Sequence, residues 1–201
     1  MDITLQGESL LLNGFSYPEK DYVQLLDIFR DETPGYIDLY SVFPSTAYAG
    51  AVLYVKDWPQ YRERLLSLRR QHRNSRLEKT IDTYKKQCGC NPEEELLKIL
   101  GPQAGVTYMK ISNQVPAKNR VIVMQVKSQS MARNVMEEIL KGYASEKGIQ
   151  FNSLYRTIRI DRETKLRLYR FPFPGLFASL FGNLFGEGPY PYFTFYDNYL
   201  V

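Results

Sequence analysis

The sequence predicts an α+β fold, a mostly antiparallel sheet with helices packed on it. Three observations carry this expectation. Short runs rich in Val, Leu and Tyr alternate with turn residues, as strands do. Longer stretches place apolar residues three and four apart behind capping residues, as helices do. One passage, strand then Lys then a capping residue then helix, occurs twice, as Val52-Leu53-Tyr54-Val55-Lys56-Asp57 and as Val123-Met124-Gln125-Val126-Lys127-Ser128. The second occurrence implies a repeated strand–helix unit, with helices on one face of the sheet.

Residues 2–15 read as a hairpin, with Ile3-Thr4-Leu5 and Leu10-Leu11-Leu12 flanking the turn Gly7-Glu8 and a further turn signal at Asn13-Gly14. A short helix is expected over 19–30, its stripe formed by Val23, Leu26 and either Asp27 or Phe29, with Pro34-Gly35 ending it. Residues 49–56 read as a strand. Asp57 caps the helix that follows, Pro59 fits its first turn, and Tyr61, Leu65 and Leu68 form its stripe. Leu77, Ile81 and Tyr84 mark a second helix.

A third helix opens at Asn91-Pro92-Glu93-Glu94-Glu95. Asn91 is the expected cap, and the three acids face the positive helix end. Gly101 and Pro102 are expected to close it. Strands are expected over 105–112 and 120–127, then a long helix over 129–146 capped by Ser128, with Val135, Ile139 and Tyr143 on one face and Gly148 at its end. Residues 155–160 and 165–171 read as a hairpin around 161–164, and residues 192–201 as a closing strand.

The 201 residues suit a single domain over 1–201, or two similar lobes of about 1–112 and 113–201. Apolar residues at 44% and charged residues at 24% exclude a disordered chain. A net charge of +4 is too small to imply nucleic acid. Sixteen Tyr and eleven Phe fit a Tyr-rich contact surface. No apolar run approaches the roughly 20 residues of a membrane span. Met1-Asp2-Ile3-Thr4 lacks the start of a signal peptide, which read literally places the chain in the cytoplasm.

No catalytic, cofactor or metal residue is expected. His72, the one histidine, stands among Arg69, Arg70 and Arg73, which hold its pKa down and repel a metal ion. No nucleophile elbow, P-loop or dinucleotide fingerprint occurs. Cys88 and Cys90 are too closely spaced for an unstrained disulfide and lack the further ligands zinc needs, so they read as small residues of a turn.

Two basic stretches are evident. Arg62, Arg64, Arg69, Arg70, Arg73, Arg76 and Lys79 lie on helices, and Arg156, Arg159, Arg162, Lys165, Arg167 and Arg170 on the hairpin. A basic surface from Arg69, Arg70, Arg73, Arg156, Arg159 and Arg167 could meet phosphates. The interleaved Glu63, Glu78, Asp82, Asp161 and Glu163 favour a solvated charged face instead. Paired carboxylates for glycan hydrolysis leave no spacing signal, so that alternative stays open. Leu176-Phe177, Leu180-Phe181 and Leu184-Phe185 recur every four residues, either as a helix that caps the core or as an exposed patch for a partner.

Several segments occur in a set order: Leu11-Leu12-Asn13-Gly14-Phe15, Val42-Phe43-Pro44-Ser45-Thr46-Ala47, the strand leading to Asp57, and Leu96-Leu97 before Gly101. Tyr155-Arg156, Leu180-Phe181-Gly182, Tyr192-Phe193-Thr194 and Asn198-Tyr199-Leu200-Val201 follow. In this order they resemble a domain-of-unknown-function family from the cell envelope of Bacteroidetes. The resemblance implies repeated α/β units within larger exported, membrane-tethered proteins, with no catalytic residue or cofactor to carry over. It also implies a periplasmic or envelope location and an internal piece of a longer protein. The expected function is a non-enzymatic envelope protein that binds a protein or ligand. Glycan hydrolysis and nucleic-acid binding are the alternatives.

Overall fold

Local sequence sets most of the elements. The computed structural model describes residues 2–6, 9–13, 24–71, 76–109, 119–186 and 192–201. Strand β1 (Asp2–Gln6) pairs antiparallel with β2 (Ser9–Asn13), from Asp2 opposite Asn13 to Gln6 opposite Ser9. The expected turn residues Gly7 and Glu8, and Gly14, lie outside the described residues.

The helix expected over 19–30 is a single 3-10 turn at Leu25–Phe29; residues 19–23 lie outside the described residues. Its stripe differs from the expected one. Three residues per turn cannot hold a 3.6-residue stripe, so Leu26 is exposed while Ile28 is buried. Asp27 turns back to accept from the Gln24 amide at 2.8 Å. The turn ends before Pro34-Gly35, where Asp31 takes a left-handed φ of 68°.

Strand β3 (Ala47–Tyr54) runs into helix α1 (Trp58–Gln71). Asp57 Oδ1 accepts the Gln60 amide at 3.0 Å, the cap the sequence predicts. Tyr61 and Leu65 are buried, with Leu68 packed beside them. Helix α2 (Arg76–Cys88) buries Ile81 and Tyr84.

Helix α3 (Pro92–Ile99) departs from expectation at both ends. Asn91 makes no capping bond; its Nδ2 donates to Glu94 Oε1 at 2.6 Å. Gly101 does not close the helix. Leu100 turns extended and leads directly into β4 (Leu100–Met109), which contains Gly101 and Pro102. Pro102 is tolerated because the register shifts between Leu100 and Ala104, and its carbonyl still accepts the Val55 amide at 2.8 Å.

Strand β5 (Arg120–Val126) leads into α4 (Gln129–Lys147), capped by Ser128 Oγ and closed by Gly148. Strands β6 (Tyr155–Arg159) and β7 (Lys165–Arg170) form the expected hairpin. Helix α5 (Leu176–Phe181) follows. The tail is three strands rather than one, β8 (Tyr192–Phe193), β9 (Phe195–Tyr196) and β10 (Tyr199–Leu200). Asp197, with φ of 45°, reverses the chain between the last two.

The result is an α+β fold in which every described strand pairing is antiparallel. One sheet runs β3-β4-β5-β10-β9 and another β6-β7-β8. The split tail ties them together, since β8 extends the hairpin while β10 pairs with β5. Both strand–helix passages seen in the sequence form, as β3 into α1 and β5 into α4.

The sheet's two faces follow its alternation. Ala104, Val106, Ile122, Met124 and Leu200 join the helices in one buried cluster. Gly105 faces the opposite way, where Phe43 and Leu39 cover it. The Gln103 side chain fixes that covering segment, accepting the Leu39 amide at 3.0 Å and donating to Asp38 at 2.8 Å.

Candidate functional site

The first turns of α4 place Gln129 and Arg133 four residues apart, on one helix face. Pairing of β6 with β7 sets Thr157 opposite Arg167, and strand alternation puts Lys165, Arg167 and Tyr169 on one side of the hairpin. These side chains meet Thr194 and Phe195 around a cleft of about 560 Å³.

Among the described residues, three cations, Arg133, Lys165 and Arg167, line this cleft, and no carboxylate does. Two are held in place by aromatic faces. The Arg133 guanidinium lies 5.6 Å from the Phe195 ring centre, and that of Arg167 lies 4.9 Å from Tyr155. Arg133 Nε is buried and meets no acceptor. Behind the cleft, Glu137 accepts the Tyr169 hydroxyl at 2.5 Å and lies 3.5 Å from Arg167 Nη1. Burial, then this bond to Glu137, raises the Tyr169 phenol above its ordinary pKa. Gln129 stands at the positive end of α4, which adds partial charge of the same sign. The arrangement sets cationic and neutral polar side chains around one cleft.

The residues expected to form a basic surface divide into several environments. Arg69 is not on the surface: it is buried and donates to the carbonyls of Ala178 and Ser179. Burial lowers its pKa, with the Glu93 carboxylate opposing. Arg62 pairs with buried Glu93, and Arg64 with Asp31 at 2.9 Å, so the helical cations hold the fold together. Arg70 is exposed 3.5 Å from Glu78. Arg73 and His72 lie outside the described residues. Arg156 points to the hairpin's other face, over Tyr192, and Arg159 donates to the Asp161 and Arg162 carbonyls. Of the five that are described, Arg167 alone lines the cleft.

Of the two readings of the Leu-Phe repeat, core cap or interaction patch, the structure shows core. Leu176, Phe177, Leu180, Phe181 and Phe185 are buried, and only Leu184 is exposed. The four-residue repeat breaks at Gly182, where α5 ends and a 3-10 turn at Asn183–Phe185 begins, so Leu184 leaves the apolar side. Glu93 also differs from expectation. It is 1% exposed and accepts from Arg62 and Ser179 rather than only facing the helix dipole.

Arg133, Gln129, Thr157 and Thr194 were not singled out by the sequence. Only the i, i+4 spacing of Gln129 and Arg133 signals a shared face. Tyr36, Tyr40 and Tyr48 are exposed, and Tyr40 lines a second groove of about 520 Å³ along β3. Among the described residues, no group of three or more His, Cys, Asp or Glu side chains could hold a metal ion. No helix there is long and apolar enough to cross a membrane. No family model, curated protein or solved structure matches the chain.

Proposed function

We propose that the protein is a non-catalytic binding protein of the cell envelope whose ligand carries phosphate, sulfate or carboxylate groups. The observation that carries the ligand class is the cleft between α4 and the β6–β7 hairpin, lined among the described residues by Arg133, Lys165 and Arg167 and by no carboxylate. Two guanidinium planes held over rings lose little freedom when an oxyanion arrives. Threonine hydroxyls and Gln129 supply neutral polar groups around the charge. The envelope location rests on the sequence resemblance alone. Glycan hydrolysis draws little support, because buried Glu93 is closed in by Arg62 and Ser179.

Calorimetric titration with tripolyphosphate, sulfate and citrate tests the ligand class. Saturable binding at one site, lost in Arg133→Ala/Lys165→Ala, is expected. No heat with any of the three removes the reading. Fractionation of cells producing the full-length protein tests the location.

A second reading, nucleic-acid binding, has one observation behind it. Lys165 and Arg167 share a strand face, with Arg159 opposite Lys165, a row that a phosphate backbone could follow. The exposed ring of Tyr192 lies on the other face, away from that row. Retention on single-stranded DNA that falls steeply with salt favours nucleic acid; no retention at low salt leaves the small anion.

A further inference from the structure

The sulfurs of Cys88 and Cys90 lie 3.5 Å apart at the junction of α2 and α3. Their approach follows from the backbone. Cys88 is the last residue of α2, and Gly89 adopts a left-handed φ of 68° that turns the chain back so that Cys90 faces Cys88. Both thiols are free. Cys88 is buried, with its sulfur 3.0 Å from the Tyr84 carbonyl, while Cys90 is half-buried. Gly142 of α4 packs directly against the Cys88 backbone, which fixes that sulfur from behind.

We propose that Cys88 and Cys90 form a two-thiolate site for a soft monovalent metal ion, copper(I). A soft ion selects thiolate sulfur, and copper(I) is content with two ligands. Zinc normally takes four ligands in a structural site, and the described residues offer no third His, Cys, Asp or Glu here. On binding, two S–H bonds break, two copper–sulfur bonds form and two protons pass to solvent. No electron is transferred. The bound pair carries one negative charge, beside the Lys98–Glu95 ion pair, whose ammonium favours that charge and whose carboxylate opposes it. The ion enters from the Cys90 side, where a small rotation of that side chain opens the gap. The site is separate from the anion cleft and does not depend on it.

The test uses the reduced full chain under anaerobic conditions, with copper(I) presented as its complex with bathocuproine disulfonate. The protein is expected to withdraw one copper ion per chain and release two protons. Cys90→Ser and Cys90→Ala change a half-exposed position, and circular dichroism checks that they fold. Each is expected to lose affinity at least tenfold, as is Cys88→Ser. Failure of the wild type to withdraw copper overturns the proposal, as does unchanged affinity in both Cys90 variants. Displacement of copper(I) by an equal concentration of zinc overturns the two-ligand assignment.

Discussion

The Ser179 hydroxyl donates to the Glu93 carboxylate, joining α5 to the first turn of α3. Arg62 holds the other carboxylate oxygen from α1, and Arg69, also on α1, holds the carbonyls of Ala178 and Ser179. Three helices thus meet at one buried charge. Removing it leaves the buried Ser179 hydroxyl without its acceptor and leaves Arg62 with only the more distant Glu63, at 3.6 Å. Glu93→Ala is therefore expected to cost about 3 kcal/mol, the low end for breaking a buried pair, because Arg62 retains some exposure. Ser179→Ala is expected to cost less, about 1–2 kcal/mol, since one acceptor alone loses its partner. Urea denaturation of both variants measures the order. Equal costs, or a stable Glu93→Ala, contradict the account.

Gly142 lies inside α4, where alanine is intrinsically favoured by about 1 kcal/mol. A Cβ there would stand 2.1 Å from the Cys88 carbonyl oxygen. That neighbour is backbone and cannot rotate away, so overpacking wins over propensity. Gly142→Ala is expected to destabilise the protein by about 2 kcal/mol or more net. A raised thermal midpoint in this variant removes the tight α2–α4 contact.

Burial pushes the Tyr61 phenol up to about 12, against a slight lowering by Arg69. Burial and the neighbouring Cys88 push the Cys90 thiol up to about 12 as well. Both folded-state values lie above those of the unfolded chain, so the folded state keeps its protons longer. The stability they contribute is complete below about pH 9 and is lost as pH climbs toward 12. Two units on Tyr61 correspond to roughly 2–3 kcal/mol. Tyr61→Phe gives up the bond from its hydroxyl to the Phe181 carbonyl, at 3.0 Å, but is expected to flatten the alkaline loss. Urea midpoints from pH 8 to 11 are the check.

Local signals in the sequence reached most elements because those elements are locally determined. Asp57 and Ser128 cap the helices expected of them, and the hairpin around 161–164 forms in place. What failed was set by distant partners. Gly101 and Pro102 look like a helix stop, yet the end of β3 pairs with Gln103 and the next residue, Val55, donates to the Pro102 carbonyl. Arg69 looks like one more surface cation, yet two carbonyls more than 100 residues away bury it. The cleft between α4 and the hairpin was half legible. Lys165 and Arg167 stood out in a basic hairpin, but Arg133 belongs to a helix whose position over that hairpin no local pattern encodes.

The cleft allows a prediction of opposite signs from two neighbouring residues. Arg133 lines it and has a buried Nε without an acceptor, so Arg133→Ala is expected to weaken tripolyphosphate binding on the order of tenfold, one charge-assisted hydrogen bond's worth. Glu137 stands behind the cleft, 3.5 Å from Arg167, and draws on that guanidinium's charge. Glu137→Gln releases Arg167 toward the ligand while an amide oxygen still accepts from Tyr169. Binding is expected to tighten by about twofold to fivefold, the scale of a half-exposed ion pair. Added salt should shrink both effects, because both are electrostatic at a half-open site. Isothermal titration of the two variants at low and high salt is the measurement. If Glu137→Gln weakens binding as Arg133→Ala does, the carboxylate is shaping the ligand site rather than competing with it, and the cleft's net positive field does not govern its affinity.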